Sequence, residues 1–210
     1  MKRKGKAGIA LITAGSLLLA AALLLVGYNL ADEYRAEKAA KHVLEVLQQQ
    51  IPTQEERKAQ EDAALEQTEL PDYVLNPDME MPTQEIEGND YIGVVDIPSL
   101  GLSLPVMSEW SYPKLKLAPC RYYGSAYTGC LTIVAHNYRT HFGLLREVLV
   151  GTQVLFTDVK GRQFSYEVST VETIEATAIE DAVSSVWDLT LITCTAGGQA
   201  RLAVRCLKTD

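Results

Sequence analysis

Residues 7–27 form an apolar run without a single charged side chain, directly after the strongly basic start MKRKGK. At about 1.5 Å per residue, a helix of roughly 21 residues spans the roughly 30 Å hydrocarbon core of a bilayer. Basic residues before the run, and the acids Asp32 and Glu33 soon after it, favour a cytoplasmic N-terminus. We therefore predict a membrane anchor over 7–27, a cytoplasmic head over 1–6, and an extracellular location for everything after Tyr28.

A cleaved signal peptide is the alternative interpretation of these residues, because a basic head and an apolar run are common to both. The apolar core of a signal peptide is usually about 7–15 residues long, which is shorter than this run. No clear small-x-small cleavage site follows Gly27. These features favour an uncleaved anchor.

Composition limits the class of the exported part. It is long enough for one domain of ordinary size, with enough apolar residues for a core. The formal net charge of -8 includes the basic head, so the exported part is more acidic still. An acidic surface argues against nucleic acid as a partner.

Residues 28–90 are predicted to be a helical and acidic stalk between the anchor and a folded domain. Helix propensity is high over 32–50, and Pro52 ends or kinks that helix. Four apolar residues share one helical spacing: Ala39, Val43, Val46 and Leu47. Gln, Glu and Asp dominate 53–90, which indicates a solvated linker. Its segment 76–82 carries two methionines among acids and is a candidate lid over a groove.

Short β-type runs begin at Tyr91 and continue to the end of the chain. The predicted strands cover residues 91–97, 102–107, 130–136, 153–157, 163–171, 189–194 and 201–207. Short helices are predicted over 112–117 and 142–149. Several short strands with turn signals between them favour a closed or nearly closed β-barrel in a single domain over 91–210.

Residues 189–207 read as a hairpin that brings a cysteine and an arginine together. Cys194 ends the run LTLITC, and Arg201 begins the next run after the short loop TAGGQA. A reactive thiolate needs partial exposure and nearby positive charge, and arginine supplies a permanent one. Arg205 lies on the same face as Arg201 but farther along, so it is the weaker candidate. The alternative is an inert, buried Cys194 beside a solvated Arg201.

A histidine, His136, ends the apolar run CLTIVAH in a matching position. Cysteine, histidine and arginine together supply a nucleophile, a proton carrier and a positive charge for an oxyanion, as in thiol acyl transfer. A lone histidine at a strand end is also common as a structural residue. We expect His141 to be a solvated residue at a helix start and His42 to lie on the surface.

We predict no metal or cofactor site at the other cysteines. Cys120 and Cys130 flank a tyrosine-rich stretch and could pair as a disulfide. Cys206 alternates with Arg205, so we expect it to face the core. No C-x-x-C pair is present, so a zinc site is not predicted.

Three stretches of the chain resemble sortases, the membrane-anchored cysteine transpeptidases of Gram-positive cell surfaces. They are the run YIGVVDIPSLGLSLPV, the strand ending in AHN, and TLITC followed by an arginine-bearing strand. The resemblance covers residues 91–208 and implies a mainly β, closed eight-stranded barrel with short helices. It implies that Cys194 is the nucleophile, His136 the general acid and base, and Arg201 the oxyanion-stabilising residue. It also implies that Thr193 and Asn137 bind substrate.

The activity that the resemblance implies is cleavage of an LPXTG-like sorting signal through a thioester acyl-enzyme. The expected partners are the sorting-signal peptide of a secreted surface protein and an amine acceptor, either a peptidoglycan precursor or a pilin lysine. The stretch HNYRTHF resembles class B sortases, whereas the connection over 173–188 is shorter than theirs. A cysteine hydrolase with water as acceptor, and an inactive surface-binding barrel, remain alternatives.

Overall fold

The computed structural model describes residues 3–65, 71–183 and 185–209. The chain divides into two compact units, residues 1–35 and residues 36–210. The first helix, α1 (Arg3–Gln50), runs through the boundary between them. Each unit is therefore considered by itself.

The N-terminal unit is the apolar half of α1. Among the described residues this is the one helix that is long and apolar enough to cross a membrane. Its large side chains are exposed, and Leu11 and Leu24 each keep 75% of their surface. A helix that is apolar on all sides needs an apolar environment, which is what a bilayer provides. A signal sequence meets the same test.

In the part of the chain that the structure describes, four shorter α-helices follow: α2 (Gln54–Leu65), α3 (Asp72–Leu75), α4 (Tyr112–Leu115) and α5 (Ile179–Ala182). The same part holds two 3-10 helices, Pro98–Leu100 and Phe142–Glu147. The strands of the described residues are β1 (Gln84–Ile86), β2 (Asn89–Ile97), β3 (Leu102–Met107), β4 (Cys120–Tyr123), β5 (Leu131–Val134), β6 (Gln153–Asp158), β7 (Gln163–Glu175), β8 (Leu189–Cys194) and β9 (Ala200–Lys208).

The strands form a closed eight-stranded barrel with one extra strand, which confirms the predicted fold class. The order is β1-β2-β3-β4-β5-β8-β9-β7-β6, and a further pairing of β2 with β6 closes the ring. Strand β1 adds to the edge of β2. The pairing of β2 with β3 has an irregular register between Tyr91 and Gly93, and in the closing pair Gly93 lies opposite Asp158 of β6. Gly93 has φ +156, and a Cβ there would lie 2.0 Å from the Thr157 carbonyl oxygen, so only glycine lets the two strands approach.

Two strands were not predicted from the sequence. Strand β1 is only three residues long and carries two polar side chains. Strand β4 lies in the tyrosine-rich stretch and pairs with β5 through an irregular register between Arg121 and Tyr123. Both lack the alternation of apolar and polar residues that marks a half-buried strand.

The second half of α1 belongs to the compact C-terminal unit. Its buried residues are small or apolar and recur on one face of the helix: Ala36, Ala40, Val43 and Leu47. Val43 and Leu47 share a cluster with barrel residues that include Tyr91 and Met107. Residues 36–50 are part of the stalk in the sequence-based division, and in the structure they pack on the barrel.

The segment before β1 is also in contact with the barrel. Tyr73 stacks on Tyr127 with ring centroids 5.1 Å apart, and the guanidinium of Arg162 lies 4.9 Å from the Tyr73 ring centre. Tyr127 donates a 2.6 Å hydrogen bond to the fully buried carboxylate of Asp158. Met81 keeps 4% of its surface and joins the main barrel core. These contacts fix the path of the chain into the first strand.

His141 is wholly buried, so the expectation of a solvated helix-start residue is wrong. The backbone of residues 136–143 folds back on itself, with the Phe142 N–H donating to the His136 carbonyl at 3.2 Å. Neither ring nitrogen of His141 has a hydrogen-bond partner among the described residues. Burial, and secondarily the nearby His136, lower the pKa of His141 to about 4.

All four cysteines are free thiols, so Cys120 and Cys130 are not bridged. Cys206 is fully buried in the barrel core, as its alternation with Arg205 predicted. Cys120 is fully buried as well. Burial raises the pKa of both of these thiols to about 12, which keeps them protonated and unreactive.

We predict that Leu47→Ala destabilises the C-terminal unit by about 2–5 kcal/mol, because it leaves a cavity in a closed cluster. Urea unfolding of residues 36–210 would measure the free energy of unfolding. Gln48→Ala, at an exposed position of the same helix, is the matched control and should change it by less than about 0.5 kcal/mol. Equal stability of the two variants would mean that this helix is not part of the folded unit.

We also predict that acid destabilises the protein through His141. Below pH 6.5 the unfolded chain protonates this imidazole, whereas the native protein does so only near pH 4. The free energy of unfolding therefore falls as pH falls through this interval. At pH 5, relative to pH 7.5, the wild type should lose roughly 2 kcal/mol more than His141→Leu, as measured by urea unfolding. Parallel losses in the two proteins would contradict the assignment.

Candidate active site

Three adjacent strands bring the predicted catalytic side chains to one edge of the barrel. Strands β5 and β8 are parallel, with Val134 opposite Ile192, so the chain positions two residues farther along are His136 and Cys194. Strands β8 and β9 are antiparallel, and Cys194 lies directly opposite Arg201. Neighbouring strands are about 4.8 Å apart, so the three residues lie side by side.

A cavity of about 410 Å³ opens at this edge, and His136, Cys194 and Arg201 all line it. Its volume is within the range of roughly 300–1,000 Å³ that is typical of ligand-binding clefts. All three side chains are partly exposed. Cys194 therefore differs from the sealed thiols of Cys120 and Cys206, since it can meet a substrate.

The rest of the cavity wall is mainly apolar. Ile174 and Ile192 form a small cluster with Ala203, and Val134 and Ala182 pack against it. Residues 174–178, at the end of β7 and the start of its connection to β8, continue the wall. Strand β5 ties down the end of α5, because the Thr132 hydroxyl donates to the Ala182 carbonyl at 3.1 Å.

An aromatic group forms another part of the wall. Trp110 lies 5.6 Å from the Tyr112 ring and 5.4 Å from the Tyr122 ring, centroid to centroid. The Ser111 hydroxyl caps α4 by accepting from the Lys114 N–H at 3.3 Å, which fixes the start of this helix. Tyr112 keeps 75% of its surface. Exposed aromatic side chains beside a cleft are suited to contact an apolar ligand.

Few signals in the sequence predicted that these residues would form a cavity wall. Trp110, Tyr112 and Tyr122 lie outside any regular apolar pattern, and their convergence depends on the path of the β3–β4 connection. A concentration of aromatic residues near a predicted strand end was the one signal available.

The His136 ring rests on an aromatic neighbour. Its centroid lies 4.6 Å from that of Tyr138, and the two planes are inclined by 24°. Tyr138 in turn lies 5.5 Å from the buried ring of His141. Gly143 permits this compact loop, because a Cβ there would lie 2.5 Å from the Asn137 carbonyl oxygen. The stack restricts the orientations open to the His136 imidazole.

The Arg201 guanidinium is held by its own hairpin. Its Nη1 donates to the carbonyl oxygens of Gly198 at 3.0 Å and Ala200 at 3.1 Å. Gly197 and Gly198 have φ values of +92 and +74, the left-handed conformation that a tight loop needs. The hairpin therefore determines where the positive charge lies relative to Cys194.

Thr193 and Asn137, which the sequence suggested for substrate binding, occupy different environments. Thr193 lines the cavity but is 4% exposed, and its hydroxyl donates to the Ala135 carbonyl at 3.0 Å. That bond ties β8 to the end of β5 just before Cys194. Asn137 is exposed and is not among the residues that line the cavity.

Arg205, the weaker candidate, lies outside the cavity lining and is buried to 2% exposure. Its Nε donates to the Glu172 carboxylate at 2.8 Å, and its Nη1 to the Thr190 hydroxyl at 3.3 Å. These two partners stabilise the buried positive charge of Arg205 within the barrel wall. Across the described parts of the chain, no group of three or more His, Cys, Asp or Glu is placed to hold a metal ion.

Comparison with known proteins connects this geometry to one family. The model of the sortase domain matches residues 95–209, which hold the three cavity residues and more than half of the chain. No curated protein sequence matches the chain.

Solved sortase structures share the fold. Sortase C1 of group B Streptococcus pilus island 1 is 21% identical with a TM-score of 0.50, and the match covers 60% of this chain and 66% of that one. Sortase C from Clostridium perfringens is 22% identical with a TM-score of 0.51, over 68% of this chain and 77% of that one. A lid mutant of sortase A from Corynebacterium diphtheriae is 23% identical with a TM-score of 0.51, over 65% and 75%. The chain belongs to the sortase family.

Proposed function

We propose that this chain is a cysteine transpeptidase that cleaves a sorting signal and transfers the acyl part to an amine. The observation that carries the proposal is the convergence of Cys194, His136 and Arg201 in one cavity. The sequence suggested Cys194 and Arg201 from one hairpin and His136 from a strand end 58 residues before Cys194. Such a set supplies a nucleophile, a proton carrier and an oxyanion partner at one point.

In the first half-reaction, the Cys194 thiolate attacks the carbonyl carbon of the scissile peptide bond. The tetrahedral oxyanion is stabilised by the guanidinium of Arg201, a residue that lines the cavity. The carbon–nitrogen bond then breaks, and protonated His136 donates its proton to the departing amine. The product is a thioester on Cys194.

In the second half-reaction, an amine attacks the thioester carbonyl. His136, now neutral, accepts the proton that the attacking amine loses. The carbon–sulfur bond breaks, the new amide forms, and the thiolate returns. Water in place of the amine would give hydrolysis.

The apolar cavity wall is suited to bind a peptide with apolar residues near the scissile bond. The aromatic group and the isoleucine cluster offer contact area on both sides of Cys194. An LPXTG-like signal has this character, with leucine and proline upstream of the cleaved bond. We propose this class of signal as the substrate. Asn137 is proposed to contact peptide residues beyond the cavity.

The acceptor amine is proposed to be a cell-wall precursor or a pilin lysine. The second option draws on sortase C1 of the group B Streptococcus pilus island, whose barrel is similar. The catalytic domain is proposed to lie outside the cell, with residues 1–6 in the cytoplasm. Basic residues before the apolar helix support this orientation.

We predict that the protein converts an LPXTG-type peptide to a transfer product when an amine such as triglycine is present. Chromatography would measure the ratio of transfer to hydrolysis with and without the amine. Cys194→Ala should abolish both products. Cys130→Ala, which removes another half-buried thiol outside the cavity, is the matched control and should leave the rates unchanged.

The same experiment separates the alternatives. Hydrolysis that is unaffected by high amine concentrations would identify a cysteine hydrolase. Processing that persists in Cys194→Ala would contradict the mechanism.

We predict that Arg201→Ala lowers kcat by about 10²–10³-fold, because one oxyanion donor is removed. KM should change by less than about threefold, since the interaction forms in the transition state. Steady-state peptide cleavage would measure both constants. Arg146→Ala, at an exposed arginine of the second 3-10 helix, is the control and should have no effect. A rise in KM at constant kcat would reassign Arg201 to ground-state binding.

A further inference from the structure

The loop between Cys194 and Arg201 is closed by one side chain, that of Thr195. The Thr195 hydroxyl donates to the Ala200 carbonyl at 3.1 Å and accepts from the Ala200 N–H at 3.2 Å. The Thr195 backbone N–H donates to the same carbonyl at 3.0 Å. Thr195 and Ala200, at the two ends of the loop, are therefore joined by three hydrogen bonds.

The two carbonyl groups that hold Arg201 lie inside this closed loop. Ala200 O accepts from both Thr195 and the Arg201 Nη1, and Gly198 O accepts from the same Nη1. Gly198 is itself placed by its N–H, which donates to the Thr195 carbonyl at 2.9 Å. Each bond on the guanidinium thus depends on a group that Thr195 orients.

The middle of the loop is open to solvent. Residues 196–199 are exposed, whereas Thr195 and Ala200 are partly buried. Two consecutive glycines in the left-handed conformation leave the backbone many alternatives once it is released. A hydroxyl that fixes both ends of such a loop removes those alternatives.

We propose that Thr195 is a positioning residue, which acts through the loop carbonyls to hold Arg201 beside Cys194. The guanidinium has five N–H donors, of which two on Nη1 are used by the loop. The remaining three have no partner among the described residues, and Arg201 lines the cavity. The loop thereby presents a pre-oriented set of donors, so that little reorganisation is needed when an oxyanion forms.

The kinetic consequence rests on the proposed transpeptidase function. A small misplacement of a catalytic group can cost about a hundredfold in rate. We expect Thr195→Val, which keeps the shape and removes the hydroxyl, to lower kcat by roughly tenfold to a hundredfold with KM nearly constant. Thr195→Ser restores the hydroxyl and should recover most of the rate.

Two controls distinguish positioning from general structural damage. Thr173→Val, at an exposed threonine of β7 with no hydrogen bond from its hydroxyl to the described residues, should behave as wild type. In an Arg201→Ala background, Thr195→Val should lower kcat by less than about twofold, because the group it positions is gone. A full additional loss in that background would overturn the proposal.

A measurement that needs no substrate turnover tests whether Thr195 restricts the motion of the Arg201 side chain. In the full-length chain in detergent micelles, NMR of the arginine side-chain nitrogens should show slow rotation of the Arg201 Nη groups. Thr195→Val should abolish that slow rotation and Thr195→Ser should keep it. An unchanged Arg201 signal in Thr195→Val would contradict the proposal that Thr195 holds Arg201 in place, whether or not any peptide is cleaved. Absence of turnover in the wild type, with these signals as expected, would instead reject the proposed function alone.

Discussion

The site depends on how β8 pairs with its two neighbours. Parallel pairing with β5 brings the end of that strand, and His136 after it, level with the end of β8. Antiparallel pairing with β9 puts Arg201 opposite Cys194. Because side chains alternate along a strand, a shift of one residue in either pairing would turn one partner away from the cavity. The register therefore determines the arrangement of the three candidate catalytic residues as well as the fold.

The surrounding structure maintains that register. The Thr193 hydroxyl bonds to the Ala135 carbonyl across the β5–β8 pair, and the buried guanidinium of Arg205 bonds to Thr190 across β8–β9. Both bonds lie within the strands whose ends form the site. Burial also makes the accessibility of the thiols different. Cys120 and Cys206 are buried in apolar surroundings, whereas Cys194 is open to the cavity. Of these three thiols, Cys194 is the one that a ligand in the cavity can reach.

Much of the fold was predictable because its strands obey simple rules. Strands β2, β3, β6, β8 and β9 carry apolar runs bounded by turns, and each was recognised within a few residues. The short or irregular strands β1 and β4 have no such pattern and were not. For the site, Cys194 and Arg201 are close in sequence, so a hairpin was sufficient to bring them together. His136 required the long-range β5–β8 pairing, which the residues alone did not specify, and only the family resemblance supplied it.

Other features depend on tertiary contacts that local sequence does not encode. His141 is polar and lies next to a helix start, so exposure was the natural expectation. Its burial follows from a backbone loop that Gly143 permits by lacking a Cβ. Similarly, residues 36–50 have the composition of a stalk. Their buried face consists of Ala36, Ala40, Val43 and Leu47. The contact of Val43 and Leu47 with barrel residues is a tertiary contact, which the composition of the segment does not predict. The aromatic side chains of the cavity wall also converge because of the path of the β3–β4 connection, and they follow no regular apolar pattern in the sequence.

The proposed reaction requires Cys194 to form a covalent bond to a sorting peptide. Intact-mass spectrometry of the protein, incubated with LPXTG-type or NPQTN-type peptides and quenched in acid, would detect this bond. We expect a mass increase equal to the acyl fragment, located on Cys194 by peptide mapping and discharged when an amine is added. A folded protein with free Cys194 that acquires no such adduct from any peptide, or an adduct on another residue, would contradict it.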